Sequence, residues 1–528
     1  MMTELTGTAT LVRFTVRRDR VRVLVWIASI ALLELLTAAN TKEIYSTQAA
    51  LDKAAAAARG NPAAIALTGP DQALDTMGGQ VAFQIGTIGL VAVALMAVFM
   101  IGRTTRAEEE AGRAELIRAM AVGRHAATAA ALIVVAGMSA ATGVIVTLGL
   151  IGLDLPTHGS VLFGVSLCAE GLVFAGVATV AAQLTENTRL VFGGSGTVLG
   201  AAFLLRAAGD IGDGTLSWFS PIGWSQKTRP FAGDRWWPLL VPAAFTLALA
   251  VVGAVLSTRR DVDAGFIRPR PGPRTGTAAL GRPLGLALRL QRGSLIGWSV
   301  GLFAAGAAIG WIADDVKDLV GDNEAIRKTI AQFGGADLTD SYLSTQMLFG
   351  ALVAAGFALQ AALRLRGEET ALRVEPLLAT AVSRGRWVFS HLVVALSGSV
   401  IVLAAGGLGC GLVYGLVIKD AGQIPRMLGA ALVYTPALWL FVGLAALLFG
   451  LFPRGVAVAW GALAACFVIG LLGEVLELPD WVKDFSPFEH TPRLPGADLT
   501  ALPLTVLTAL AIAAAGTGLL TFQRRDMF

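Results

Sequence analysis

Runs of about 20 apolar residues recur twelve times along this chain, each long enough to cross roughly 30 Å of hydrocarbon as a helix. They fall at about 24–40, 81–101, 126–153, 160–183, 189–207 and 236–256, then at about 295–313, 344–363, 387–417, 428–450, 454–474 and 499–521. Nothing in them alternates with period two, which excludes an outer-membrane barrel. Composition agrees: 55% of residues are hydrophobic and 15% charged, where a soluble domain carries about 25% charged residues. The expected fold is an all-α polytopic membrane protein of about twelve transmembrane helices. Cys168, Cys410 and Cys466 all lie inside apolar runs, too few and too enclosed for a disulfide framework.

Charge placement orients the spans. With both termini on the cytoplasmic side, the cytoplasmic segments hold roughly 27 of the 41 Lys and Arg, as the positive-inside rule requires. The densest basic patches are RFTVRRDRVR near the N-terminus and the segment from Arg259 to Arg292. Beside a membrane span such patches read as inner-leaflet anchors, with lipid and not nucleic acid as the partner. The first span resembles a signal peptide in outline. Arg20 and Trp26 nevertheless have internal counterparts in Arg292 and Trp298, so an uncleaved helix preceded by an interfacial segment is expected.

The chain also repeats itself. Residues 106–124 read RAEEEAGRAELIRAMAVGR and residues 366–384 read RGEETALRVEPLLATAVSR, with about 10 of 19 positions identical. Pro, Gly and Arg in RPRPGPRTG mark a linker, so the expected organisation is a six-span half at 1–258, a linker at 259–290 and a second half at 291–528. Halves with six spans each share one topology, as parallel repeats do. The outer loops at 41–80 and 314–343 both read as a short helix followed by a Gly-containing turn. Gly196/Gly200 and Gly407/Gly411 have the spacing that lets helices approach closely.

Glu109 and Arg113 are four apart, and Glu110/Arg113 and Glu115/Arg118 three apart, distances at which helix side chains pair. The repeated stretch is therefore expected to be a short amphipathic helix, bent in its second copy by Pro376. Keeping the same charges twice points to a docking surface used twice. Glu108, Glu109, Arg113 and Glu115 would form the first surface, and Glu368, Glu369, Arg373 and Glu375 the second. No P-loop, no His/Cys cluster and no nucleophilic triad stand in the sequence, so no cofactor, metal or catalytic residue is expected on this chain.

The paired EE-x-x-x-R-x-E stretches resemble those of the fused permeases of type-2 ABC exporters, as do QLTENTR at 183–189, LLRAAGD at 204–210, FSPIGW at 219–224 and FSPFEHTPRLPG at 485–496. Within that family the chain resembles the actinobacterial group associated with export of polyketide antibiotics such as tetronasin. The resemblance covers essentially the whole chain. It implies a permease subunit, not an enzyme, that works with two copies of a separate ABC ATPase carrying the ATP and Mg2+. Each elbow would be a coupling helix seated in one ATPase. The alternative is a secondary multidrug transporter driven by an ion gradient, since six-plus-six repeats also describe that class. A lipid-modifying membrane enzyme would need a catalytic carboxylate set on the outer loops, and none stands out.

Two carboxylates sit within spans, Glu34 and Glu170. A charge at the bilayer centre costs about 2.5–3.5 kcal/mol or more, so both are expected to face the bundle interior. Glu34 and Glu170 are each expected either to pair with a neighbouring helix, the reading favoured for Glu34, or to line the cargo path. Arg206 and Asp210, four apart, are expected to pair, and Trp236 and Trp237 to belong to an aromatic belt. Phe219-Ser220-Pro221 and Phe485-Ser486-Pro487 precede the last span of each half and are expected to narrow the outer exit.

Overall fold

A computed structural model describes residues 4–119, 121–259, 265–267, 274–314, 338–472 and 479–525. Among them regular structure is helical, apart from one isolated bridge between Thr185 and Ile267. Among the described residues twelve helices are long and apolar enough to cross a membrane, and each overlaps one of the expected spans. The chain divides into two compact units, Met1–Pro271 and Gly272–Phe528, each holding six of the twelve.

In the first unit, α1 (Thr8–Ile44) is kinked at Asp19, whose φ of −101° and ψ of 16° leave the helical region. Short helices α2 (Gln48–Ala58) and α3 (Pro62–Thr68) form the connection to α4 (Met77–Thr104). The Thr76 side chain caps α4 by accepting from the Gly79 N–H. The elbow comprises α5 (Arg106–Glu110) and α6 (Arg113–Arg118), followed by α7 (Ala126–Gly152), α8 (Thr157–Leu184) and α9 (Thr188–Ile211). A short α10 (Pro221–Gln226) then leads to α11 (Leu240–Arg259). The core is made by α4 and α8, with Val93, Met96, Ile101, Val173 and Phe174 essentially inaccessible.

The second unit opens with α12 (Pro283–Ile312), which starts inside the stretch expected to be linker. Then come α13 (Leu338–Ala362), the elbow helices α14 (Arg364–Thr370) and α15 (Val374–Leu378), and α16 (Arg384–Val417). The unit closes with α17 (Gln423–Leu432), α18 (Thr435–Leu451), α19 (Ala457–Leu472), α20 (Asp480–Lys483) and α21 (Ala501–Arg524). Its core gathers around Phe357, Leu438, Phe441 and Phe449. Backbones touch where side chains are smallest. A Cβ at Gly310 would meet the Tyr414 nitrogen at 2.9 Å, and one at Gly411 the Gln423 oxygen at 2.8 Å. Gly407 likewise packs on Ala431. Gly196 and Gly200 do not follow: neither has a heavy atom within 4 Å of its would-be Cβ, so identical spacing marks packing in one helix and an open face in the other.

The expected helix and Gly-containing turn at 41–80 are present as α2 and the turn at Gly60 (φ 72°), followed by a second helix, α3, whereas most of the matching 314–343 loop lies outside the described residues. The linker is partly described. There Gly265 donates to Glu186 Oε1 (3.2 Å) and Ile267 to the Leu184 carbonyl (2.8 Å), tying a short strap to the turn between α8 and α9.

Candidate functional site: two elbows with one internal wiring

Each elbow is two short helices and not one. The first breaks at Gly112 (φ 69°) and the second at Leu372 (φ 55°), the same position of the repeat. A left-handed residue stops the hydrogen-bond ladder in both copies, so Pro376 is not what bends the second; it sits in the first turn of α15. Glycine adopts that conformation at little cost, whereas Leu372 is strained and must be held by its surroundings.

The repeated charges supply the hold. Across the break Arg113 donates to both Glu108 oxygens, at 2.8 and 3.2 Å, and Arg373 lies 3.6 Å from Glu368. The Glu108 hydrogen bond raises the Arg113 pKa above its ordinary value, keeping that group charged. Within the first helix of each elbow Arg106 pairs with Glu109 and Arg366 with Glu369. These partners differ from the expected Glu109/Arg113 and Glu110/Arg113, because a broken helix no longer brings Glu109 beside Arg113, while the Arg118 side chain of the expected Glu115/Arg118 pair lies outside the described residues. The expectation that all these carboxylates face outward is corrected too: Glu108 and Glu368 are buried, and Glu109 and Glu369 half-buried. Glu115 and Glu375 are exposed, as are Leu116 in α6 and Leu372 at the second break, at 71% and 61%.

Beyond this shared wiring the copies are tied down differently. In the first unit Arg18 reaches Glu108 at 3.1 Å while also pairing with buried Asp19, which Arg22 and Arg103 hold as well. Glu110 accepts from the Thr188 N–H at 2.6 Å and so caps the start of α9. Its repeat partner Thr370 has no carboxylate and bonds back to Arg366 within its own helix. In the second unit Arg364 pairs with Glu368 (2.9 Å), and Arg525 clamps Glu369 while donating to the Phe449 carbonyl at 2.6 Å. The last residue of the repeat does the same job twice: Arg124 caps α11 through the Ser257 and Thr258 carbonyls, and Arg384 bonds the Arg525 carbonyl just after α21. Asp19, Arg103 and Arg525 were missed in the sequence. A lone acid in RFTVRRDRVR was the available signal for Asp19; nothing marked Arg525 apart from other terminal basic residues.

Glu34 is fully buried, and neither oxygen has a hydrogen-bond partner among the described residues, so the expected pair with a neighbouring helix is absent. Its carboxylate lies against Gly89 of α4, where a Cβ would collide with it. Glu170, also fully buried, accepts from Ser225 Oγ of α10 at 3.1 Å. Arg206 and Asp210 do pair, at 3.6 Å, and Arg206 further donates to the Ile65 and Ala66 carbonyls near the end of α3. Ser220 caps α10 and donates to the Ala202 carbonyl, with Pro221 buried and Phe219 exposed. The second Phe-Ser-Pro copy has the same exposure pattern, Phe485 out with Ser486 and Pro487 in, yet it forms a turn where the first starts a helix. Trp236 and Trp237 are exposed.

Sequence comparison adds a family. Residues 280–523 match the C-terminal domain of multidrug efflux system permease Rv1217c. The chain is 44% identical over 527 residues to the multidrug efflux system permease protein Rv1217c of Mycobacterium tuberculosis, covering 99% of this chain and 95% of that one. Full-length likeness at this identity, on a frame of twelve membrane-length helices, places the chain in the family of efflux system permeases.

Proposed function

We propose that this chain is the membrane subunit of an ATP-driven exporter of hydrophobic or amphiphilic compounds, drugs and polyketide-type antibiotics among them. ATP and Mg2+ belong to a separate ABC ATPase, two copies of which dock on the elbows from the cytoplasmic side of the inner membrane. Both termini of the permease lie on that side. The two fused halves, 1–258 and 291–528 about a linker, each contribute one docking elbow. Glu34, Glu170 and the two Phe-Ser-Pro segments belong to the cargo path in this reading.

One observation carries it. After the second membrane-length helix of each unit, the same two Arg–Glu pairs fix the same broken-helix elbow and leave Glu115 or Glu375 outward. The buried pairs shape the elbow, but the outward Glu115 and Glu375 lie outside those pairs, and a partner that must be met twice explains why the repeat keeps them. The name of the relative supports efflux as the direction of transport.

The test is energisation. In inside-out vesicles holding the permease with its ATPase, ATP should drive uptake of a fluorescent amphiphilic drug, and vanadate should stop it while a protonophore does not. Uptake driven by a proton gradient without ATP would instead make the chain a secondary transporter.

A further inference from the structure

A half-open pocket lies in the first unit at the end of α4 and α8 far from the elbow, with about 530 Å³ of space between its walls once its open mouth is included. Phe83, Leu90 and Phe163 give it an apolar side, and Ser225, Gln226 and Arg229 a polar one. Arg229 is the one charged side chain among the described residues that line it.

Arg229 is an unusual residue to find unsatisfied. Its Nε is buried without a hydrogen-bond partner, and no described carboxylate pairs with it. Arg229 itself is half-buried, and a donor nitrogen kept from water costs free energy unless an acceptor meets it. Its backbone is left-handed (φ 52°), a conformation rare for a long side chain. The turn holds it there: the Arg229 carbonyl accepts from Ala232 (3.0 Å) and Asp234 (3.2 Å), and its N–H donates to Gln226 (3.0 Å). Backbone strain kept at the rim of a pocket is a feature of preorganised sites. Beside it Gln226 donates to Thr87 Oγ1 at 2.7 Å but leaves its own Oε1 without a donor. Ser225 spends its hydroxyl proton on Glu170. The wall therefore offers one cationic fork and one empty acceptor.

We propose that this pocket binds the acidic head, carboxylate or phosphate, of an amphiphilic molecule, with Arg229 as its counter-ion and the tail against Phe83, Leu90 and Phe163. The Gln226 oxygen accepts from a hydroxyl or amide next to that head. A planar guanidinium takes either oxyanion through two parallel hydrogen bonds. The claim concerns binding alone and does not rest on ATP-driven transport, because it is read with neither ATPase nor nucleotide present.

The permease in phosphatidylcholine nanodiscs is titrated with a dansyl-labelled fatty acid and with a dansyl-labelled alkyl trimethylammonium of equal length. The acid should bind at least about tenfold more tightly than the cation, and R229Q should remove that preference while R229K retains most of it. A82W, which fills the pocket and leaves Arg229 in the sequence, should lose the acid probe as well; this keeps the test open if R229Q does not fold. Displacement of the probe by phosphatidylglycerol, with the same lipid co-purifying from native membranes with wild type but not R229Q, would identify a lipid phosphate as the natural head. Displacement by a free amphiphilic carboxylate alone would identify cargo, and either result supports the site. Equal binding of the acid by wild type, R229Q and A82W, or tighter binding of the cation, would overturn it.

Discussion

Glu109→Ala should destabilise the permease by about 3–5 kcal/mol, the range for removing one partner of a buried ion pair. Arg106 is only 1% exposed and its guanidinium pairs with Glu109, so truncation takes a charged partner from a cation that water cannot reach. The matching change Glu369→Ala should cost less, about 1–3 kcal/mol, because Arg366 is 30% exposed and water takes over part of the lost interaction. Part of that cost comes from Arg525, which loses its hold on the elbow but keeps the Phe449 carbonyl and the ring faces of Phe449 and Phe522. Unfolding of the detergent-solubilised variants, followed by circular dichroism in denaturant, measures both. Equal losses below about 1 kcal/mol would mean that neither pair is buried in the working protein. Transport lost in these variants would not report on docking, since the same carboxylates build the elbow.

The exposed acids separate the two roles. The double variant E115K/E375K should remain folded and membrane-inserted, because substitutions at exposed positions usually change stability by about 0.5 kcal/mol or less. At an interface with the ATPase, each reversal removes a favourable contact and adds a repulsive one. A desolvated charge contact is worth about 2–5 kcal/mol, or roughly 30-fold to several thousand-fold in affinity. Efflux should therefore fall below about a tenth of wild type and co-purification of the ATPase should weaken, with the single variants intermediate. Wild-type efflux from a well-expressed double variant would make the elbows solvated surface helices. The copies need not respond equally, since Glu110 caps α9 in the first while Thr370 cannot do so in the second.

The membrane-length helices were readable because hydrocarbon thickness acts on each segment separately, and run length alone reports it. The elbow was readable as a charged repeat but not as a shape. Spacings of three and four identify partners only on an unbroken helix. Gly112 could have been read as a break, but Leu372 at the equivalent position carries no such signal. Pro376 misled, since a proline in the first turn of a helix is tolerated. What lies beyond the elbow was out of reach for a different reason. Arg18, Thr188 and Arg525 meet it only after the chain has folded, and no local pattern encodes a contact between Glu369 and a residue near the C-terminus. Glu34 shows the same limit from the other side. Its burial followed from its place in a span, whereas the absence of a partner depends on what α4 brings opposite it, and α4 brings Gly89.

Site-directed cross-linking tests the docking of the elbows most directly. Cys410 and Cys466 are buried and Cys168 half-buried, so cysteines introduced as E115C and E375C would dominate the reaction with a thiol-directed cross-linker. In the complex with its ATPase, each variant is predicted to yield a permease–ATPase adduct whose yield changes when ATP is bound and hydrolysed. Full labelling of both cysteines by a soluble maleimide, with no adduct to the ATPase in any nucleotide state, would contradict the account.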